Sequence, residues 1–339
     1  DQQQAQGWAP LVLDTNGMSP VYAMAVGHTA TVVIRGVVLW VVARPQPDFA
    51  FSWEEIRKQV RFTAPLASTG AFAFVEGRGD DIGVRVLWGN ASLGLYSVAF
   101  YAPALLREVI VAIDRVTLPV FARLPDVASL RHNFTAATRL LAVTSVPAGF
   151  GLAAFSRPLT LLALGERWVE AAPLMSIVGV AFGLKGCLGL NWGALAYLSN
   201  STRYLARVTV VSSGLMLCVG IPLIAWLGPA GGAWYALADA VLIGPAQRFP
   251  LIRRVLGDLT FLRASVRPIV VSGALSLLAV SLGSQRVGAI PGLVGFSALF
   301  LLSVALVVGT DGELRHILSA ALPGRHADES PTQDPGASG

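Results

Sequence analysis

Long apolar runs, separated by short polar segments that contain arginine, dominate the chain. A helix needs about 20 apolar residues to cross about 30 Å of hydrocarbon. About nine runs meet or approach this length, and they predict transmembrane helices near Val21–Ala43, Phe62–Val86, Leu93–Val120, Phe134–Leu164, Ala171–Leu198, Tyr204–Leu227, Ala230–Phe249, Ala264–Leu282 and Ile290–Val308. Because the runs do not alternate between apolar and polar residues, helices are favoured over barrel strands. The predicted fold class is all-α, a polytopic integral membrane helix bundle.

Composition supports this interpretation. Of 339 residues, 54% are hydrophobic and 13% are charged, against about 25% charged in an ordinary soluble domain. The mean hydropathy is +0.63. The two cysteines lie inside apolar runs and the four histidines show no ligand spacing, so we expect no disulfide scaffold, no metal site and no cofactor.

The basic residues are concentrated in alternate loops. Most of the 25 lysines and arginines fall in one set of loops, whereas only Arg167 and Arg286 fall in the opposite set. Cytoplasmic loops of membrane proteins are rich in Lys and Arg. The pattern therefore predicts an external Asp1 and a cytoplasmic Gly339. Charges confined to short loops do not form a basic groove, so no nucleic-acid partner is expected.

Segments outside the spans have distinct compositions. Phe49 to Arg61 interleaves aromatic, aliphatic and charged residues, which predicts a short helix at the membrane surface. The chain beyond Pro323 is rich in Pro, Gly, Ser and Asp, which predicts a disordered tail. The chain begins at Asp1 without a methionine or a signal-peptide pattern, and we therefore expect it to be a fragment of a longer protein.

Prolines and small residues occur inside the predicted spans. The prolines concerned are Pro65, Pro103, Pro147, Pro173 and Pro222, and each removes a backbone hydrogen bond. Small residues spaced by four, such as Gly179 and Gly183, permit close helix contact in lipid. Kinks and close contacts together favour helices that rock against one another, as in a transporter.

Four short motifs resemble those of the oligosaccharide flippase, or polysaccharide transporter, family. The main one is GNASLGLYSVA at Gly89 to Ala99; the others are Pro47-Asp48-Phe49 with Trp53, Pro119 to Leu124, and Gly165 to Trp168 before an Ala-Ala-Pro-Leu helix start. The likeness covers roughly Val21 to Pro250. The family is similar to multidrug and toxin exporters, which have two helical lobes around a central cavity.

The resemblance implies the following organisation: an external segment at 1–20, the last helix of the first lobe at 21–43, a cytoplasmic interfacial linker at 44–61, the second transmembrane lobe at 62–250, two additional helices at 251–309 and a cytoplasmic tail at 310–339. The rest of the first lobe would be absent. The implied activity is not enzymatic: it is translocation of an undecaprenyl-pyrophosphate-linked oligosaccharide across the bacterial cytoplasmic membrane by alternating access. The implied partners are the lipid-linked oligosaccharide, the phospholipid bilayer, and a polysaccharide polymerase or chain-length regulator.

Five charged residues lie within the second predicted span. Arg78, Asp81 and Arg85 share one helix face, and Glu76 and Asp80 share the opposite face. The first face could bind a pyrophosphate or sugar hydroxyls, and the second could take a coupling proton or cation. Alternatively, the helix leaves the membrane near Glu76, about 21 Å after Phe62, and the charges lie at the outer interface.

Arg35, Arg107 and Lys185 are interpreted as lone cations at one depth, each about 21 Å from the external end of its helix. A diphosphate headgroup would arrive at this depth, in the cytoplasmic half of the membrane. The alternative is that their long side chains extend to the cytoplasmic interface. Asp239, alone in a span rich in glycine and alanine, has no assigned role.

Other functions remain compatible with the sequence. A multidrug or cation antiporter has the same fold, but intramembrane arginines would repel its cationic substrates. A lipid II flippase is also compatible. A membrane glycosyltransferase or polysaccharide ligase fits less well, because such enzymes usually need a large external loop and the complete external loops here are short.

Overall fold

The structure, a computed structural model, describes residues 20–43, 52–54, 56–58, 60, 69–188, 192–199 and 201–310. These residues are almost entirely helical, and no strand occurs among them, which confirms the all-α class. The chain divides into two compact units, Asp1–Gln59 and Val60–Gly339. The predicted external segment and the cytoplasmic tail lie almost wholly outside the described residues.

The first unit contains helix α1, Pro20–Ala43, which agrees with the predicted span Val21–Ala43. Its apolar side chains from Val32 to Val42 are exposed. The described part of the predicted surface helix is helical at residues 53–54, 56–58 and 60. Trp53, within it, has an exposed side chain.

Helix α2, Gly70–Phe121, is divided at Gly89, where φ is 81° and ψ is 179°. Glycine adopts this left-handed φ without the steric cost that a Cβ would add. The break falls between the predicted spans Phe62–Val86 and Leu93–Val120, and it lets the chain change direction. On one side of it, the Trp88 indole N–H donates a hydrogen bond of 2.8 Å to the Ile224 carbonyl.

Helix α3, Val127–Ala154, begins before the predicted Phe134 because the Asp126 carboxylate accepts a hydrogen bond from the Ser129 amide and so caps the helix. It ends at Phe155, where φ is −118° and ψ is 23°. A short helix α4, Ser156–Leu164, follows. The single predicted span Phe134–Leu164 is therefore wrong in both its start and its continuity.

The remaining helices follow in order: a 3₁₀ turn at Glu166–Ala171, α5 Ala172–Cys187, α6 Trp192–Leu198, α7 Thr202–Leu215, α8 Ile221–Leu227, α9 Pro229–Ala238, α10 Gly244–Leu256, α11 Phe261–Ser281, a 3₁₀ turn at Ser284–Arg286, and α12 Ala289–Thr310. Two π-helical turns interrupt this order. Met216–Gly220 joins α7 to α8, and Asp239–Ile243 joins α9 to α10. Such turns contain one extra residue and are frequent at functional sites.

Glycines allow α3 and α5 to approach with backbone against backbone. A Cβ placed at Gly149 would lie 2.5 Å from the Gly179 carbonyl oxygen and 2.6 Å from Gly183 Cα. The close contact predicted for Gly179 and Gly183 is therefore present. Nearby, Ala142, Val146, Ala181 and Leu184 form a buried apolar cluster with Cys187 and Ala240, and α11 packs against α3.

The prolines occupy several kinds of position. Pro103 and Pro147 lie inside helices α2 and α3. Pro173 lies in the first turn of α5, where a missing amide hydrogen costs little. Pro222 follows the π turn Met216–Gly220, inside the continuous helical segment Thr202–Leu227. Pro65 lies outside the described residues.

Six helical segments among the described residues are long and apolar enough to cross a membrane: Gly70–Phe121, Val127–Ala154, Glu166–Leu198, Thr202–Leu227, Phe261–Ser281 and Ala289–Gly309. The predicted span Ala230–Phe249 is helical but is not one of the six, and a count of nine spans stays a prediction. Large apolar side chains cover the outer surfaces of these helices, among them Val86, Trp226 and Leu277, which are 75%, 80% and 73% exposed. Lipid tails are the solvent that such surfaces require, so the protein is a polytopic membrane helix bundle.

Candidate functional site

An ion pair within the helix bundle joins Lys185 to Asp239. Lys185 lies in the last turn of α5, and Asp239 is the first residue of the π turn between α9 and α10. The Lys185 Nζ atom is 2.7 Å from Asp239 Oδ2, and the two side chains are 26% and 17% exposed. The interpretation of Lys185 as a lone cation and of Asp239 as an isolated acid is therefore wrong: packing of α5 against α9 and the π turn brings them together.

Two further charged residues lie close to this pair. Glu76, in the first part of α2, is within electrostatic reach of Asp239, Arg248 and Lys185. Arg248 lies in α10, and its guanidinium carbon is 5.9 Å from the centre of the Trp192 ring. We call Glu76, Lys185, Asp239 and Arg248 the charge cluster. It has two acidic and two basic members, so it is formally neutral.

A tyrosine next to the charge cluster binds a third acid. The Tyr96 hydroxyl, which is buried, donates a hydrogen bond of 2.8 Å to Asp80 Oδ2. Gly232 makes room for this ring, because a Cβ at that position would lie 2.6 Å from the Tyr96 hydroxyl oxygen. Tyr235 is within electrostatic reach of Asp239, Glu76 and Asp80. Asp80 thus binds a polar group from the second part of the same helix, and Tyr235 of α9 lies near this face of α2.

The opposite face of α2 has an ion pair of its own. Arg78 Nη1 is 3.1 Å from Asp81 Oδ2, and the two side chains are 67% and 32% exposed. Arg85 is also exposed. The two faces predicted from helical periodicity therefore differ in their partners and not in their exposure: Asp80 binds Tyr96, whereas Arg78 pairs with Asp81. Glu76 is exposed, as Arg78 and Arg85 are.

The three cations predicted at one depth have different surroundings. Arg107 is paired with Glu108 at 3.1 Å, and both side chains are largely exposed. Arg35 is exposed on α1 of the first unit. Lys185 alone of the three belongs to the charge cluster.

Two buried donors in α10 lack a hydrogen-bond partner among the described residues. They are Arg248 Nε and Gln247 Nε2. The other groups of Gln247 are bound: its Oε1 atom accepts a hydrogen bond of 3.0 Å from Ser212, and its carbonyl accepts one of 2.5 Å from Tyr204. An unsatisfied buried donor calls for an explanation such as an ordered water or ion, and these two donors can still bind an acceptor.

Sequence reasoning did not find several of these residues. Tyr96 is part of the GNASLGLYSVA motif, but nothing in the motif indicates that its hydroxyl binds Asp80. Arg248 lies at the end of the predicted span Ala230–Phe249, and the sequence alone indicates no partner for it. Asp239 is the one acid in a long apolar stretch of the sequence. Because an acid inside a membrane usually has a partner, this position was a signal that Asp239 forms an ion pair. The described residues contain no group of three or more His, Cys, Asp or Glu that could hold a metal ion.

Comparison with known proteins supports the sequence motifs. Residues 7–173 match the model of a family described as "Polysaccharide biosynthesis protein". The chain is 24% identical over 281 residues to the teichuronic acid biosynthesis protein TuaB of Bacillus subtilis, covering 79% of this chain and 57% of TuaB. It is 23% identical over 192 residues to the succinoglycan biosynthesis transport protein ExoT of Rhizobium meliloti, covering 54% of this chain and 39% of ExoT.

A third relative is an uncharacterized membrane protein in the cps region of Klebsiella pneumoniae, 25% identical over 241 residues, with coverage of 68% of this chain and 49% of that protein. The chain thus spans about half the length of these curated relatives. No solved structure matches it. The resemblance to polysaccharide biosynthesis and transport proteins is confirmed, and the names of the relatives point to transport rather than to catalysis.

Proposed function

We propose that the chain is part of a carrier that moves a lipid-linked oligosaccharide across the bacterial cytoplasmic membrane by alternating access, for assembly of a surface polysaccharide. The relatives named for polysaccharide biosynthesis and transport support the polysaccharide. The arginine-rich loops support a cytoplasmic C-terminus. A polysaccharide polymerase or chain-length regulator would then use the exported saccharide on the outer side.

The charge cluster is the observation that supports this proposal most. Ionised side chains inside a membrane are costly, and they usually mark the path of a substrate or ion. Lys185 and Arg248 provide positive charge, and the buried Gln247 and Arg248 donors provide hydrogen bonds. A diphosphate headgroup requires both, because its oxygens are negatively charged acceptors.

We assign roles to the predicted site residues on the same basis. Lys185 would bind the diphosphate inside the bundle, with Arg107 and Arg35 attracting it from the cytoplasmic side. The outward face of α2, with Arg78, Asp81 and Arg85, would contact sugar hydroxyls or the diphosphate. Glu76 and Asp80 would bind the coupling proton or cation. In this proposal, residues 62–250 act as the second lobe, preceded by the last helix of the first lobe at 21–43 and followed by two additional helices at 251–309.

The test is export by the complete gene product in a flippase-null strain, together with lipid flipping in vesicles normalised to protein level. Lys185→Gln keeps a polar side chain but removes the charge. We expect it to lower the flipping rate by about tenfold or more, because a hydrogen bond to a charged group contributes about 1.5–3 kcal/mol. Arg254→Gln, an exposed cation in the last turn of α10, is the matched control and should flip normally. Normal flipping by Lys185→Gln would contradict the proposal.

The acids of the site favour one alternative, a drug or cation antiporter of the same fold. Glu76, Asp80 and Asp239 lie in helices of the bundle and could attract a cationic substrate. The two functions differ in their substrates. Export of a cationic dye by the complete protein, without rescue of the flippase-null strain, would favour the antiporter.

A further inference from the structure

The Lys185–Asp239 pair has few supporting contacts. Buried ion pairs are stable mainly when additional hydrogen bonds satisfy the remaining lone pairs and protons. Among the described residues, Lys185 is the one ion-pair partner of the Asp239 carboxylate, and no hydrogen bond to that carboxylate is found. The Lys185 ammonium group also lies over the Phe182 ring, whose centre is 5.5 Å away. The pair can therefore separate without breaking other hydrogen bonds to the Asp239 carboxylate among the described residues.

The backbone beneath Asp239 is also irregular. Asp239 begins the π turn Asp239–Ile243, and Gly244 follows it. A Cβ at Gly244 would lie 2.8 Å from the Asp239 carbonyl oxygen and 3.0 Å from Arg248 Nη1. The π turn therefore brings the Asp239 backbone close to the residues that follow it, where Arg248 also lies.

The charge balance restricts what can bind at Lys185. With Glu76, Lys185, Asp239 and Arg248 all ionised, the cluster has no net charge. A phosphate that enters next to Lys185 would also approach Asp239 Oδ2, which is 2.7 Å from the ammonium group. Two anions that close repel each other strongly in a medium of low dielectric constant. Phosphate and Asp239 therefore compete for Lys185.

We propose that Asp239 is an internal anion that competes with the phosphate groups of a lipid headgroup for Lys185, and so sets how weakly the carrier binds its substrate. This inference rests on the proposed function and adds to it a specificity-determining residue. A carrier must release what it binds, and an internal anion that returns to Lys185 speeds release. Removing the Asp239 charge then tightens anion binding and slows export.

Binding of inorganic pyrophosphate to the purified complete protein in nanodiscs, measured by calorimetry, tests the competition directly. We expect Asp239→Asn to bind pyrophosphate about tenfold more tightly than the wild type, which corresponds to a difference of about 1.4 kcal/mol in binding free energy. The double variant Asp239→Asn/Lys185→Gln should lose this gain. Asp126→Asn, which neutralises an acid at the exposed start of α3, is the control and should bind like the wild type.

Two results would overturn the proposal. One is an Asp239→Asn protein that binds pyrophosphate no more tightly than the wild type. The other is a gain that persists when Lys185→Gln is added, because the anion would then be bound elsewhere.

A second pair of variants covers the case in which Asp239→Asn does not fold. The exchange Lys185→Asp/Asp239→Lys keeps an ion pair, whereas Lys185→Asn/Asp239→Lys leaves the cation without its acid. Competition predicts tighter pyrophosphate binding by the second variant than by the first. Equal binding would contradict it.

The source of the phosphate is decided by adding undecaprenyl diphosphate to the nanodiscs. If the headgroup is the ligand, the lipid displaces pyrophosphate from the Asp239→Asn protein. Failure to displace it would assign the site to a soluble phosphate and overturn the lipid as its source. The binding experiment does not depend on transport. Normal lipid flipping by Lys185→Gln would therefore reject the proposed function, whereas only the pyrophosphate affinities decide whether Asp239 competes for Lys185.

Discussion

The Tyr96 hydroxyl donates a hydrogen bond of 2.8 Å to the Asp80 carboxylate, and this bond connects the two parts of α2 across the break at Gly89. The bend in α2 is therefore fixed by a side-chain contact as well as by the glycine. Since Asp80 is on the same helix face as Glu76, the bond also orients α2 towards the charge cluster.

Tyr96→Phe removes this hydrogen bond while keeping the ring. A hydrogen bond to a charged group contributes about 1.5–3 kcal/mol, so we expect a clear decrease in thermal stability in detergent. Tyr197→Phe, at an exposed tyrosine, should change stability little. In a double-mutant cycle, the effect of Tyr96→Phe should largely disappear in the Asp80→Asn background; an undiminished effect there would show that the hydroxyl acts through another group.

Gly149→Ala is expected to destabilise the contact between α3 and α5. The added methyl group would lie 2.5 Å from the Gly179 carbonyl oxygen, so the helices must separate, and overpacking of this kind costs about 1–3 kcal/mol. Gly214→Ala adds the same group where nothing lies within 4 Å. The melting temperature should fall for Gly149→Ala and stay constant or rise slightly for Gly214→Ala. Equal effects of the two substitutions would contradict the close packing.

Cysteine accessibility tests the predicted orientation. Cys218 is exposed, so the background is Cys218→Ser. Ala128 lies between the predicted spans Leu93–Val120 and Phe134–Leu164, and Ser281 lies at the end of the predicted span Ala264–Leu282. Both are exposed, so cysteine can replace either. We expect Ala128→Cys to be protected from an impermeant thiol reagent in spheroplasts and Ser281→Cys to react. The reverse pattern would place the arginine-rich loops outside.

Asp258 predicts a pH dependence of stability. The Thr260 side chain and backbone amide donate hydrogen bonds to this carboxylate, and Arg131 lies 3.3 Å away, so the pKa of Asp258 is lowered from 3.8. A lowered folded-state pKa stabilises the protein above the ordinary aspartate pKa, and this stabilisation is lost as the pH falls through the lowered value. Asp258→Asn should therefore lower the melting temperature at neutral pH and have less effect in acid. Glu170→Gln, at an exposed acid, should show no such difference.

Arg107 tests whether an exposed cation takes part in transport. Arg107→Gln should slow lipid flipping if the guanidinium attracts the diphosphate, and Arg107→Lys should be milder unless the contact is bidentate. Glu108→Gln removes the acid that pairs with Arg107 at 3.1 Å and should leave flipping unchanged or slightly faster. If the Arg107→Gln and Glu108→Gln proteins both flip the lipid at the normal rate and abundance, the Arg107 side chain takes no part in transport and only extends to the membrane interface.

Most helices follow from the apolar runs, because a span of hydrocarbon imposes a minimum length on them. Their ends are harder to predict: α3 begins at Val127 because of the Asp126 cap and stops at Phe155 because of a local change in backbone angles. The π turns have no sequence signal that we recognise. The ion pair of Lys185 with Asp239 depends on how distant segments pack, and helical periodicity within one segment gives no information on that. By contrast, the two faces of α2 follow directly from the spacing of its charges.

The glycine contact between α3 and α5 has a mechanical consequence. At Gly149 and Gly183 the backbones of α3 and α5 are in direct contact. No side chain there can change rotamer to accommodate a shift of one helix relative to the other, so we expect the two helices to move together. Lys185, two residues after Gly183, moves with these helices, whereas Asp239 moves with a π turn. If the bundle rocks as proposed for the carrier, the separation of 2.7 Å between their charged groups should change during transport. A distance probe on α5 and α9 should then report the motion, and a probe on α3 and α5 should report none.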